Sequence, residues 1–83
     1  MDLLYFAWVR ERVGIGQERL DPPAEIHTVA DLITWLSRRS PGHAEAFREP
    51  DRLRAALDQK FVPLDAPLAN VREVALFPPV TGG

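Results

Sequence analysis

Cysteine is absent from the 83-residue chain. That excludes disulfides, thiolate-bound zinc, iron-sulfur clusters and a cysteine nucleophile together. Long apolar runs are missing too: none approaches the roughly 20 residues that a membrane-spanning helix needs. Strong charge of either sign is lacking, since 10 Lys and Arg face 12 Asp and Glu for a net charge of -2. The arginines are interspersed with acids and form no basic stripe that could track a phosphate backbone, so nucleic acid is not expected as a partner. Met-Asp-Leu-Leu-Tyr-Phe-Ala at the start has no basic segment ahead of its apolar stretch, so it does not read as a secretory signal, and a cytoplasmic location is the expectation. Repeats and low-complexity tracts are also lacking. What is present is 46% hydrophobic and 27% charged residues, the composition of one ordinary globular domain. A domain this short buries little more than ~60% of its unfolded surface.

Asp2 to Val9 is short, apolar and aromatic-rich, which predicts a buried strand. Strand alternation puts Leu3 and Tyr5 on one face and Asp2, Leu4 and Phe6 on the other. The glycines of Val13-Gly14-Ile15-Gly16 and the strand-like Glu18-Arg19-Leu20, stopped by Pro22-Pro23, suggest that a loose loop closes an N-terminal hairpin. Val29, Leu32, Ile33 and Leu36 recur at helical spacing behind Thr28, and Asp31 completes a variant capping box, so a helix runs from there to about Arg38-Arg39. His43 to Phe47 permits a short helical turn. Leu53 to Leu57 fits either a helix or a strand. Phe61-Val62 reads as extended. Glu73 to Phe77 is a last strand, with Val74 and Leu76 on one face and Ala75 and Phe77 on the other, ended by Pro78-Pro79. This order suggests an α+β domain with one helix on a mixed sheet, its first and last strands adjacent at the centre.

Few side chains offer chemistry. His27 and His43 lack metal-site spacing and read as surface or capping residues, and no metal site is expected. Gly14-Ile15-Gly16 completes no nucleotide-binding fingerprint, and Ser37 and Ser40 have no nucleophile elbow. Trp35 lies off the apolar stripe of its helix, where it either covers a flank of the core or meets a partner.

The tail Phe77-Pro78-Pro79-Val80-Thr81-Gly82-Gly83 stands apart. A given pair of positions is Gly-Gly by chance only ~0.5% of the time. Six extended residues at about 3.1 Å each reach ~18 Å from the domain. Gly82 and Gly83 have no side chains to block a narrow channel. The α-carboxylate at their tip, with an ordinary pKa of about 3.5, is ionised at pH 7 and can attack the α-phosphate of a nucleotide. Apolar Leu4, Phe6, Ala75 and Phe77 fall on the sheet face that a single helix leaves uncovered, so they form either a partner-binding patch or a second small core under loops.

Tyr5-Phe6-Ala7 with Val9-Arg10-Glu11 and Gly14, Thr28-Val29 with Leu32, Gln59 near Phe61-Val62, Pro67-Leu68, Glu73-Val74-Ala75 and the terminal Phe-Pro-Pro-Val-Thr-Gly-Gly together resemble the MoaD family. These are ubiquitin-like sulfur carriers, the small subunits of molybdopterin synthase. The resemblance spans the chain. It implies a β-grasp fold over residues 1–77, with Leu53 to Leu57 as a strand, and an extended tail over 78–83. It also implies that Gly83 is adenylated by an E1-like enzyme using ATP, then converted to a thiocarboxylate by a sulfur donor protein. Pro78, Pro79, Val80, Thr81 and Gly82 would insert the tail into the large subunit, where sulfur passes to cyclic pyranopterin monophosphate. Phe6, Phe61 and Phe77 match docking positions for the large subunit and the activating enzyme, within a heterotetramer. The chain itself would bind no cofactor and would be a non-catalytic carrier. Two departures from the family pattern bear on docking: Asn70-Val71-Arg72-Glu73 replaces the usual Asp-Gly-Asp-Glu, and Asp58 stands where asparagine is common. Alternatives within reach of the same residues are a sister carrier for thiamine or tRNA thiolation, a ubiquitin-type modifier, and an interaction domain with an inert tail.

Overall fold

A computed structural model describes residues 1–79. Five strands form one mixed sheet in the order β2-β1-β5-β3-β4: β1 (Asp2–Tyr5), β2 (Gln17–Arg19), β3 (Arg54–Leu57), β4 (Lys60–Val62) and β5 (Glu73–Phe77). The first and last strands lie side by side in parallel, and the other pairs are antiparallel. Within Leu53 to Leu57 the strand reading holds: Arg54–Leu57 is β3, and a 3-10 turn at Pro50–Arg52 precedes it.

The helices are α1 (Ala7–Val13), α2 (Val29–Leu36) and α3 (Pro41–Ala46). In α2 the capping box is complete. The Asp31 amide donates to Thr28 Oγ1 at 3.1 Å, and the Thr28 amide donates back to Asp31 Oδ2 at 3.2 Å. Such a cap contributes about 1 kcal/mol. Val29, Leu32, Ile33 and Leu36 all face the sheet and are buried. Beyond Leu36 the chain tightens into i→i+3 bonds at Arg38 and Arg39. Trp35 packs partly buried against the core's flank, with the Arg39 guanidinium 5.4 Å from its ring.

One expectation needs correcting: the extended run from Asp2 ends at Tyr5, and Ala7–Val13 is helix instead of strand and loop. Val9 and Val13 lie four apart, so a helix turns both inward, Val9 fully and Val13 partly. Gly14 closes α1 at φ 98°, its amide bonded to Arg10 O at 2.9 Å, a left-handed cap that suits glycine. The hairpin pairing of β1 with β2 holds, but a helix fills its connection. This helix packs on α3 so closely that a Cβ on Gly42 would lie 2.5 Å from Arg12 O.

Leu3, Tyr5, Val74 and Leu76 point from the central strands into the core between sheet and helices, as alternation predicts. The β3–β4 hairpin turns on Asp58 and Gln59, at φ 48° and 72°, the two-positive-φ geometry whose twist matches that of the strands. Asp58 Oδ1 accepts from the amides of Arg72 and Glu73 at 3.1 and 2.9 Å, tying this turn to the entry of β5. Asn70 supplies a left-handed turn residue at φ 64°.

Candidate functional site

The helices cover one face of the sheet, and strand register determines what the other face presents. Leu4 sits opposite Ala75 on β5, Ala75 opposite Ala56 on β3, and Ala56 opposite Phe61 on β4. Residues directly opposite share a face, so this row crosses four strands. Its centre is two alanines and its edges are larger, which makes an open depression. Phe6, Phe77, Pro78 and Pro79 border it on the side where β5 ends. Phe61 is 81% exposed and Phe6 48%, while the Phe61 and Phe77 rings meet at 5.6 Å. These aromatics are therefore exposed on one contiguous surface and are not packed into a second core under loops. Leu4, Phe6, Phe61, Ala75 and Phe77, scattered through the sequence, thus share one face, and Pro78 and Pro79 continue from it. Val80, Thr81, Gly82 and Gly83 lie outside the described residues.

Sequence reasoning missed Ala7, Ala56, Gln59 and Glu73, which also line the depression. Ala56 would have followed from choosing the strand for Leu53 to Leu57, and Glu73 from extending the β5 alternation by two residues. Ala7 left no signal: it adopts φ 53°, a left-handed conformation costing a non-glycine residue roughly 1–2 kcal/mol, where β1 gives way to α1. The Phe6 amide still donates to Leu76 O at 3.3 Å, so Phe6 is held to β5 as the chain departs.

A second polar cluster lies on the helix side. Glu18 Oε2 accepts from Tyr5 OH at 2.7 Å and from His43 Nε2 at 2.7 Å, and Ser40 Oγ lies 2.7 Å from His43 Nδ1. Ser40 also caps α3 by accepting the His43 amide at 3.1 Å. His43 is therefore buried, which corrects its reading as a surface residue, although the cap does involve it. Burial, followed by the bond to Glu18, pushes the Tyr5 hydroxyl well above its ordinary pKa. Burial would raise Glu18 as well, but the Tyr5 and His43 hydrogen bonds and the nearby His43 and Arg39 charges outweigh it and hold the carboxyl below its usual range. The network pins α3 to β1 and β2. Tyr5, Ser40 and His43 line none of the described pockets, while Glu18 borders a surface recess with Asp2, Leu4, Gln17, Arg19 and Glu73. Among the described residues, no group of three or more His, Cys, Asp or Glu could hold a metal, and no helix is long and apolar enough to cross a membrane.

A helix-backed mixed sheet with parallel central strands and a bare apolar face that runs on to Pro78 and Pro79 defines the ubiquitin-like β-grasp class. Residues 3–83 match the model of the ThiS family, and the chain belongs to that family. It is 42% identical to the molybdopterin synthase sulfur carrier subunit of Escherichia coli, over 98% of this chain and 96% of that one. It is 32% identical to the Haemophilus influenzae protein of the same name, over 100% and 99%. Among solved structures it resembles a Pyrococcus furiosus protein provisionally named molybdopterin converting factor, subunit 1, with TM-score 0.74, 28% identity and 95% of each chain covered. It also resembles SAMP1 of Haloferax volcanii, with TM-score 0.71, 27% identity and coverage of 100% and 98%.

Proposed function

We propose that this chain is the sulfur-carrier subunit of a molybdopterin synthase, acting in molybdenum cofactor biosynthesis with the chemistry at Gly83. The observation that carries this reading is the continuity of the apolar face with the arm: Phe77, Pro78 and Pro79 border the depression, and only three residues separate Pro79 from Gly83. The full-length identity to two carriers of that name supports it.

In this account the Gly83 carboxylate attacks the α-phosphorus of ATP held by an E1-like partner, displacing pyrophosphate. A persulfide on a sulfur donor protein then attacks the acyl adenylate and AMP leaves; a further thiol reduces the resulting acyl disulfide, ending as a disulfide with the donor sulfur and releasing the thiocarboxylate. The arm, Pro78 through Gly82, enters the large subunit and delivers the sulfur to cyclic pyranopterin monophosphate. The two sulfurs of the dithiolene call for two deliveries, which suits a heterotetramer with one arm per active site. Leu4, Phe6, Phe61, Ala75 and Phe77 dock the body, residues 1–77, on its partners. The chain positions and presents; catalysis and ATP binding belong to the partners, in the cytoplasm.

Deleting Gly83, or adding a residue after it, tests this directly. Both variants should fold with unchanged thermal stability and support no molybdopterin formation in a reconstituted synthase. Cofactor formation by the extended variant would overturn the proposal. Thiolation of a thiazole precursor or tRNA instead of the pterin would assign the chain to a sister carrier, and isopeptide adducts on lysines would assign it to the modifiers.

A further inference from the structure

Resting on the docking role just proposed, we infer that Glu73 is a specificity determinant of the apolar face and that the large synthase subunit presents a Lys or Arg to it. Among the described residues Glu73 is the sole charged side chain lining the depression. It sits half-buried at the edge away from the arm, four residues before Phe77. At strand spacing that places it ~13 Å from where the arm begins.

The sheet gives this carboxylate no compensation. In the parallel β1–β5 register Glu73 stands directly opposite Asp2, and like charges so placed are destabilising. A cation is nearby, but Asp2 has it: Arg19 Nε donates to Asp2 Oδ1 at 2.9 Å. Among the described residues the Glu73 carboxylate has no hydrogen-bond or ion-pair partner. The structural duties of the position are met by its backbone, whose amide donates to Asp58 Oδ1 at 2.9 Å and whose carbonyl accepts from the Asp58 amide at 2.9 Å. Any strand-forming residue would supply both bonds.

A side chain that the fold does not use, placed against a like charge on an otherwise uncharged docking face, fits a cation from outside. Docking dehydrates this edge and strengthens such a pair, whereas a partner with a carboxylate or only apolar groups there would leave Glu73 unpaired. The apolar row supplies area without direction. A single charge at the end opposite the arm fixes which way round the partner lies, and hence that the arm points into its active site.

The test uses the full chain and its cognate large subunit, with Glu73→Gln, Glu73→Lys and Phe61→Ala compared by calorimetry across salt concentrations and by thermal melting. Removing the charge should weaken docking about 3- to 10-fold at low salt and flatten its salt dependence. Reversing it should weaken docking by more than ~10-fold. Glu73→Gln should also melt at the same or a higher temperature than the parent, because the repulsion with Asp2 is gone. A merely structural residue would not show this opposition of stability and binding. Parental affinity and salt slope in both Glu73 variants, with binding lost in Phe61→Ala, would overturn the inference alone and leave the charge a solubility device. Parental affinity in Phe61→Ala as well would overturn the docking role beneath it.

Discussion

Truncating Phe61 to alanine should separate binding from folding. In the free chain Phe61 is 81% exposed on the edge strand β4, so folding buries only about a fifth of its surface, most evidently in the tilted contact with Phe77 at 5.6 Å. That contact and the change in strand propensity together are worth less than ~1 kcal/mol. The melting temperature should fall by under ~8 °C, since a domain of this size loses about 4–8 °C per kcal/mol. Burying most of a phenylalanine against a partner is worth about 1.5–3 kcal/mol, so affinity for the large subunit should drop roughly 10- to 150-fold. Calorimetric titration of the large subunit, beside a thermal melt, reads both. Leu76→Ala is the contrasting control. It empties a fully buried site at a cost of about 2–5 kcal/mol and should lower the melting temperature by at least ~8 °C. Binding within twofold of the parent, or melting of Phe61→Ala as severe as that of Leu76→Ala, would refute the assignment of Phe61 to an external surface.

Gly42→Ala should cost about 1–3 kcal/mol and lower the melting temperature by at least ~4 °C, because its Cβ would meet the backbone oxygens of Arg12 and Val13 at 2.5 and 3.1 Å and force α1 from α3. An unchanged melt would mean that the two helices pack less closely than described. Stability should also decline in acid. The folded pKa of Glu18 is depressed, so its stabilisation is present above the unfolded value and is lost as pH falls through the folded one. Melting temperatures should therefore decrease from about pH 5 to pH 3, and Glu18→Gln should flatten part of that decline. Asp2, held low by Arg19, and Asp31, held low by the His27 and Thr28 amides, retain their share in the variant. Equal slopes for parent and variant would remove Glu18 from the account.

The fold was legible where a single periodicity governed the chain. Thr28 and Asp31 announced α2, and alternation in β1 and β5 placed Leu3, Tyr5, Val74 and Leu76 inside and Leu4, Ala75 and Phe77 outside. It was illegible where tertiary packing decided: the apolar run after Asp2 continues unbroken through Ala7 to Val9, but Ala7 turns left-handed to start a helix that packs against Gly42. His43 was misplaced because nothing local shows that β2 brings Glu18 to it from 25 residues away. Four of the docking candidates followed from strand alternation alone. Phe61 came from the resemblance; Glu73 shares the alternation of Ala75 and Phe77, but only the register shows that it stands opposite Asp2.

The central claim is that sulfur travels on the last backbone carboxyl of a chain that has no cysteine. Intact-mass spectrometry of the full chain, after incubation with its activating enzyme, ATP and a sulfur donor, tests this most directly. The account predicts exchange of one oxygen for one sulfur, located at Gly83 by fragmentation and absent when Gly83 is deleted. An unchanged mass under conditions in which the same enzymes convert a known carrier, or sulfur found at any other residue, would contradict it.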